Sequence, residues 1–338
     1  MSFKKSSSKF KIFLNRYFPI SKYLSLDPVA IDISPDAIRV LKLKESSEGI
    51  TPVFYKEVNI EDKHNLGKVD AEESRKDSVV SVLKKLKASL RLKYVFASLP
   101  EQKTYIYKAK FPREALLDMV SAIRFNIQEN VPLNVDEVNF DYKVIQYDER
   151  SIEVVVSVFP KSIVGHYTDL LKEAGLFPIS FESESSSIAR SIVKNGDARP
   201  YILIRLLKNQ VNVSVVENEV VQFASKIEVS GEKISRSLED EDTKILSQEL
   251  NKTLIYWFTS KKDTSDPHKI ENAIIVGKYA LREGLVEYLE NSLKIDVEVG
   301  DVWANCFSTD DYIPQMPRQE SLDYSSAIGL AIKALRYE

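Results

Sequence analysis

Between residues 116 and 159 the hydrophobic period of the chain changes, and that change constrains the fold more than any other stretch. Leu116, Met119, Val120, Ile123 and Ile127 recur at helical spacing and predict one buried stripe. Pro132 disfavours helical backbone at Val131 and stops the helix. Val138, Phe140, Tyr142 and Val144 then alternate with Asn139, Asp141 and Lys143, the pattern of a strand with one wet face. Residues 152–159 are nearly all apolar and predict a second strand. A second helix over 161–174 carries the stripe Ile163, Tyr167, Leu170, Leu171 and Ala174, and is closed by Gly175 with Pro178 just beyond.

On both sides of this helix–strand–strand–helix unit the same order of elements recurs. Before it, strands over 29–33 and 37–43 flank Ser34-Pro35-Asp36, and a third strand is predicted near 52–60. A helix over 74–90 and a strand over 94–99 follow, and Tyr105-Ile106-Tyr107 leads into the unit. After it, strands over 201–207 and 211–216 form a hairpin across Lys208-Asn209-Gln210, with a third strand over 220–227. A long helical region runs to about 258, with Leu250, Leu254, Ile255 and Phe258 as its stripe. A strand over 273–276, a helix over 281–293, a short strand over 297–299 and a closing helix over 325–335 complete the chain. Residues 263–267 and 309–321 are polar, proline-containing surface connections. Two copies of one order point to a duplicated α/β core in which helices cover the strands.

Length and charge exclude several classes. At 338 residues the chain exceeds one typical core, and it divides into a tail over 1–26, a first half over 27–102, an inserted unit over 103–179 and a second half over 180–338. A formal net charge of -3 gives no reason to expect nucleic acid. The single cysteine, Cys306, forms no internal disulfide, and His64, His166 and His268 lie too far apart for a metal motif. No apolar run approaches the roughly 20 residues that span a bilayer. Arg16 and Lys22 interrupt what would be a signal peptide's apolar core, so a cytoplasmic location is predicted. Residues 1–26 carry Lys4, Lys5, Lys9, Lys11, Arg16 and Lys22 without an acid. Phe10, Phe13, Leu14, Tyr17 and Phe18 share one helical face there until Pro19, which makes the tail a candidate for contact with a membrane surface or a partner; the competing reading is a tail that packs on the protein's own body.

The stretch SAIRFNIQENVPLNVDEVNFDYKVI, with VVVSVFPKSIVGHYTDLLKEAGLFPISFESESSSIAR after it, resembles the type IV pilus assembly protein PilM family. In that family the segment is a small α+β subdomain, called 1C or SHS2, inserted in an actin-like fold shared with the cell-division protein FtsA. The resemblance therefore implies an α/β, actin-like duplicated core of the actin–sugar-kinase superfold with an SHS2/1C-type insert. It also implies ATP and Mg²⁺ between the halves, held by two hairpins and a glycine-rich turn.

Here the matching positions are unevenly kept. Asp32-Ile33-Ser34 suits the first hairpin, where Asp32 could orient a hydrated Mg²⁺ and Ser34 allows close approach, while Pro35 removes a donor. The second hairpin has Ile204-Arg205-Leu206-Leu207 where the family has an aspartate and a glycine, although Arg205 and Lys208 could still attract an anion. The adenosine turn reads Val276-Gly277-Lys278-Tyr279 in place of paired glycines. The expectation is doubtful ATP binding and no turnover, with no residue assigned a catalytic or metal-binding role. Glu182, Glu184 and Arg190 are expected to be structural.

The resemblance further implies a partner. Proteins of the family hold the cytosolic N-terminal peptide of the inner-membrane protein PilN in a groove between the small subdomain and the body. The corresponding positions are Ile123, Arg124, Ile127, Val131, Pro132 and Phe140, with Arg124 off the buried stripe. Pilus assembly ATPases are further partners of this kind, and the expected location is peripheral, at the inner face of the cytoplasmic membrane. The family's last helix is matched by 323–331, where Gly329 is expected to allow tight helix–sheet packing. The alternatives are an FtsA-like membrane tether, which normally continues past this helix to an amphipathic one, and an ATPase or phosphotransferase of the same superfold.

Overall fold

A computed structural model of the chain describes residues 26–46, 49–60, 71–101, 104–260, 269–308, 310 and 312–337. The amphipathic face of Phe10, Phe13, Leu14, Tyr17 and Phe18 lies outside these residues.

Two five-stranded sheets have the same internal order. In the first, β1 (Val29–Ile33) pairs antiparallel with β2 (Ala37–Ser46), and β2 with β3 (Gly49–Asn59). On its other side β1 runs parallel to β4 (Tyr94–Leu99), and β4 to β8 (Phe177–Ser183), giving the order β3-β2-β1-β4-β8. The second sheet repeats this with β9 (Tyr201–Leu206), β10 (Val211–Glu217), β11 (Val220–Ile227), β12 (Asn272–Val276) and β13 (Asp296–Val299), in the order β11-β10-β9-β12-β13. The duplication expected from the hydrophobic pattern is thus a duplication of topology. Strand β8, in which Phe177, Ile179 and Phe181 alternate with Pro178, Ser180 and Glu182, is not among the expected strands, and it supplies the parallel edge of the first sheet.

The insert falls between β4 and β8. Its three strands, β5 (Tyr105–Pro112), β6 (Val138–Tyr147) and β7 (Ser151–Pro160), form a sheet ordered β5-β7-β6. Helix α2 (Met119–Asn130) covers one face, burying Met119, Ile123 and Ile127 against Ile152, Val154, Val156 and Val158. Leu116 and Val120 do not join that stripe: they are 46% and 50% exposed, Leu116 because it lies in a 3₁₀ turn over Arg113–Asp118 that precedes the helix, and Val120 because the buried face is the i, i+4, i+8 row of Met119, Ile123 and Ile127. Asp118 caps α2 by accepting from the Ser121 amide at 3.1 Å.

Helices α1 (Ala71–Leu90) and α3 (Lys161–Glu173) cover the outer face of the first sheet through Leu83, Leu86, Leu170 and Leu171. Between the sheets lie α4 (Glu184–Ile192) and α9 (Ser325–Leu335). One continuous core joins Ala30, Leu41 and Phe96 of the first sheet, through these helices, to Ile202, Ile204 and Val213 of the second. Gly329 on α9 sits so close to α4 that a Cβ would collide with the Ser187 carbonyl oxygen. Its role is helix–helix packing, where helix–sheet packing was expected.

The outer face of the second sheet is covered by α5 (Gly231–Arg236), α6 (Glu241–Ser260) and α7 (Leu285–Leu293), with α8 (Arg318–Asp323) leading into α9. On α6 the expected stripe is rotated. Leu250 is buried, but Ile255 and Phe258 are 63% and 65% exposed, and Trp257 faces inward instead, beneath the Lys108 ammonium at 5.3 Å.

Candidate functional site

Two places are built by residues from more than one unit: a cleft between the two sheets and a cavity where the insert meets the body.

In the cleft, the carboxylate of Asp32 at the end of β1 is fully buried and has every oxygen engaged. Ser98 and Ser326 donate to Oδ1 at 2.6 and 3.0 Å, and Ser34 and Arg205 donate to Oδ2 at 2.9 and 3.0 Å. The Arg205 guanidinium, 2% exposed, also lies 3.0 Å from Glu184, which accepts from Nδ2 of the Asn212 side chain at 3.0 Å. Glu101 closes the group by accepting from the Ser185 amide and hydroxyl. Three buried carboxylates therefore surround one guanidinium.

Their protonation follows from that count. Burial alone would raise Asp32, but Arg205, Arg39 and the serine hydroxyls outweigh it and hold its carboxyl below the usual range. Burial pushes Glu184 up to about 7, against the pull of Arg205 and with the help of Asp32 and Glu101. Burial also raises Glu101, and Arg205 stays charged beside its acids. A magnesium ion needs oxygen ligands and keeps several of its own waters. Asp32 has no free lone pair to offer, and a fixed cation already occupies the space beside it.

The turns around the cleft are equally occupied. The amides of Gly231 and Glu232 donate to the Leu207 and Lys208 carbonyls at 3.1 and 3.4 Å, so the start of α5 is engaged by the hairpin turn. Gly277 has φ +99°, and a Cβ there would strike the Leu206 carbonyl. The Tyr279 ring lies against Gly231. Lys208 and Lys278 point to solvent, away from the buried cluster. The structure thus brings Asp32, Ser34 and Arg205 together and leaves Lys208 and Lys278 outside. Among the described residues no group of His, Cys, Asp and Glu side chains stands ready to hold a metal ion.

The second place is a cavity of about 300 Å³ between the insert and the body. Its walls come from β6 and β7 of the insert, from β8, α4 and α9, and from β11. Strands β6, β8 and β11 are each an edge strand of a different sheet. On β7, Val155, Ser157 and Phe159 alternate into the cavity, and Asp141 and Lys143 flank them on β6. At the base, Arg190 donates to both oxygens of Glu182, at 2.5 and 2.6 Å, and Lys333 stands 3.6 Å from the same carboxylate. Burial would raise Glu182, but Arg190 holds it low. Arg336 and Glu219 complete the charged lining.

The cavity is on the face of the small sheet opposite α2. Ile123 and Ile127 are fully buried on the inner side of that helix, where they pack the insert's core. Val131 is buried in the same cluster, Phe140 and Leu133 pack against it, and Pro132 is exposed at the helix end. Arg124 is exposed on α2, across the sheet from the cavity. The alternation in β6 identified which residues share a face; the sequence held no signal for which face α2 would cover.

The sequence model of the type IV pilus assembly protein PilM family matches residues 30–243. The chain belongs to that family. None of the curated proteins compared matches the sequence. Among solved structures, the PilM-PilN type IV pilus biogenesis complex superposes with a TM-score of 0.69 at 16% identity, covering 92% of this chain and 99% of that one. Lower similarity extends to the ethanolamine utilization protein EutJ from Carboxydothermus hydrogenoformans, with a TM-score of 0.45, 12% identity and coverage of 90% of this chain and 89% of that one. The cytoplasmic domain of EpsL from the type II secretion system of Vibrio cholerae gives 0.44 at 9% identity, with coverage of 92% and 94%. The fold of this PilM family member is the actin-like one, with the small α+β insert between the fourth and fifth strands of its first sheet. Among its described residues no helix is long and apolar enough to cross a membrane.

Proposed function

We propose that this chain is a non-catalytic scaffold of a type IV pilus assembly machine, working at the inner face of the cytoplasmic membrane. Its cavity between insert and body holds an extended peptide, the cytosolic N-terminus of a PilN-like inner-membrane protein. The observation that carries the reading is the meeting of three edge strands, β6, β8 and β11, around one cavity. An edge strand leaves a row of amides and carbonyls unpaired, and an extended peptide satisfies them by joining the sheet. Side chains of such a peptide would alternate between Val155, Ser157 and Phe159 on one side and the Glu182–Arg190 pair on the other.

In this reading the inter-half cleft is structural. ATP and Mg²⁺ do not suit its donor set, because Arg205 supplies the positive charge that a metal would bring. No hydrolysis step is assigned to any residue.

The test is fluorescence anisotropy with a synthetic peptide copying the cytosolic N-terminus of a PilN-like inner-membrane protein. Saturable binding is expected, and Ser157→Trp, which fills the cavity, should abolish it. Arg124→Glu, on the far side of the sheet, should leave it intact. Equal binding by Ser157→Trp, or loss on Arg124→Glu, would remove the peptide from this cavity.

A further inference from the structure

Strands β1, β4 and β8 run parallel and begin at one edge of the first sheet, where Val29 is level with Val95, and Tyr94 with Phe177. Helices α1 and α3 both end at this edge. The turns that follow them are tied together: the Phe177 amide donates to the Lys93 carbonyl at 2.9 Å, the Leu92 amide to the Lys87 carbonyl at 3.1 Å, and the Gly175 amide to the Lys172 carbonyl at 2.8 Å. The Lys87 ammonium reaches over Gly175. These contacts gather Lys87, Arg91, Lys93 and Lys172 into one patch, and Arg91, Lys93 and Lys172 are exposed.

Among the described residues, Glu173 is engaged by Lys76 at 3.2 Å and Asp27 by Lys42. Lysines in a last helical turn answer the helix dipole, which accounts for Lys87 and Lys172. It does not account for Arg91 and Lys93, which lie past the helix end, nor for the aromatic side chains. Phe177 is 53% exposed at the centre of the patch, its ring 6.1 Å from that of Tyr94, and Lys93 sits over Tyr94 at 4.9 Å. Tyr337, packed edge-on against Phe96 with ring centroids 5.3 Å apart, is 57% exposed just past the end of α9.

The chain as a whole carries -3, so positive charge is concentrated here against the average. The sequence that precedes β1 has the same sign, with Lys4, Lys5, Lys9, Lys11, Arg16 and Lys22 and no acid before Asp27. A polyanion in solution needs the cations alone. Cations mixed with exposed aromatic rings suit an interface that is anionic outside and apolar beneath.

We propose that the strand-start edge of the first sheet is a docking surface for an anionic phospholipid bilayer, with Arg91, Lys93 and Lys172 meeting headgroups and Phe177 entering the interface. This surface is separate from the peptide cavity, and its test contains no peptide, so the two readings fail independently.

The experiment is co-sedimentation of the full chain with vesicles of phosphatidylglycerol and phosphatidylethanolamine, against vesicles of phosphatidylcholine. Binding to the anionic vesicles alone is expected, with release at high salt. The variant Arg91→Glu/Lys93→Glu/Lys172→Glu should partition at least about tenfold less, from the loss of several headgroup contacts, with an unchanged melting temperature. Phe177→Ser should weaken binding and leave the remainder fully salt-sensitive. No binding to anionic vesicles, equal binding to phosphatidylcholine, or undiminished binding by the triple variant would overturn the proposal. So would capture of polyuridylate by a chain that ignores the vesicles.

Discussion

The Arg205 guanidinium donates to Asp32 at 3.0 Å across the boundary between two sheets, although the two residues stand 173 positions apart. A second arm lies 3.0 Å from Glu184 on the helix between the sheets. One side chain thus ties together β1, β9 and α4. Replacing it by Met leaves buried carboxylates unpaired, which typically costs about 3–5 kcal/mol. Urea denaturation of Arg205→Met should show a loss of that order, and adding Glu184→Gln should recover part of it. A loss no larger than that of a surface substitution would show that the triad holds nothing together.

The same triad predicts indifference to nucleotide. A ligand present at a hundred times its dissociation constant adds about 2.7 kcal/mol to the stability of the state it binds. Thermal unfolding of this chain with and without millimolar ATP and Mg²⁺ should give one melting temperature. A rise of several degrees would place a functional nucleotide site in the cleft.

Stability should also depend on pH in a defined direction. Burial holds Glu184 up to about 7, against an ordinary value of 4.5, so the folded state keeps its proton more tightly than the unfolded one. The stability this contributes is complete below the ordinary value and is lost as pH climbs towards 7. Asp323, raised by burial to about 6, acts in the same sense. Asp32 and Glu182, held low, act oppositely and lose their contribution only in stronger acid. The melting temperature should therefore peak at about pH 5 and fall towards neutrality. Glu184→Gln should flatten the fall, and an unaltered slope in that variant would assign it to other groups.

Gly329→Ala tests the seam between the helices. A methyl group there meets the Ser187 carbonyl oxygen, which is fixed backbone and cannot yield as a flexible side chain would. The overlap exceeds ordinary overpacking, whose cost is about 1–3 kcal/mol, so the variant should lose more than that or fail to accumulate as folded protein. Ala327→Gly on the same helix, which introduces no overlap, should cost only about 1 kcal/mol.

The folding units were legible because each rests on local periodicity. The alternation in 138–144 and the apolar run of 152–159 were enough to place β6 and β7, and the repeated element order gave the duplication. Failures occurred where the deciding partner is remote. Ile255 and Phe258 share helical spacing with Leu254, yet Trp257 is the side chain that turns inward, because Lys108 of the insert and the second sheet meet it there. Asp32 and Arg205 were each conspicuous in the sequence, but nothing local joins them. Read separately, one suggested a metal and the other an anion; together they neutralise each other. Alternation in β6 likewise sorts its residues into two faces and is silent about which face a helix covers.

The three edge strands around the cavity belong to sheets that complete themselves from distant parts of the chain. An occupant that paired with them would be a splint across the whole molecule, gripping the insert and both halves at once. Partial unfolding of any one sheet would remove a wall and release it. Occupancy would then report that every unit is in place, so that only intact molecules would be recruited to an assembly.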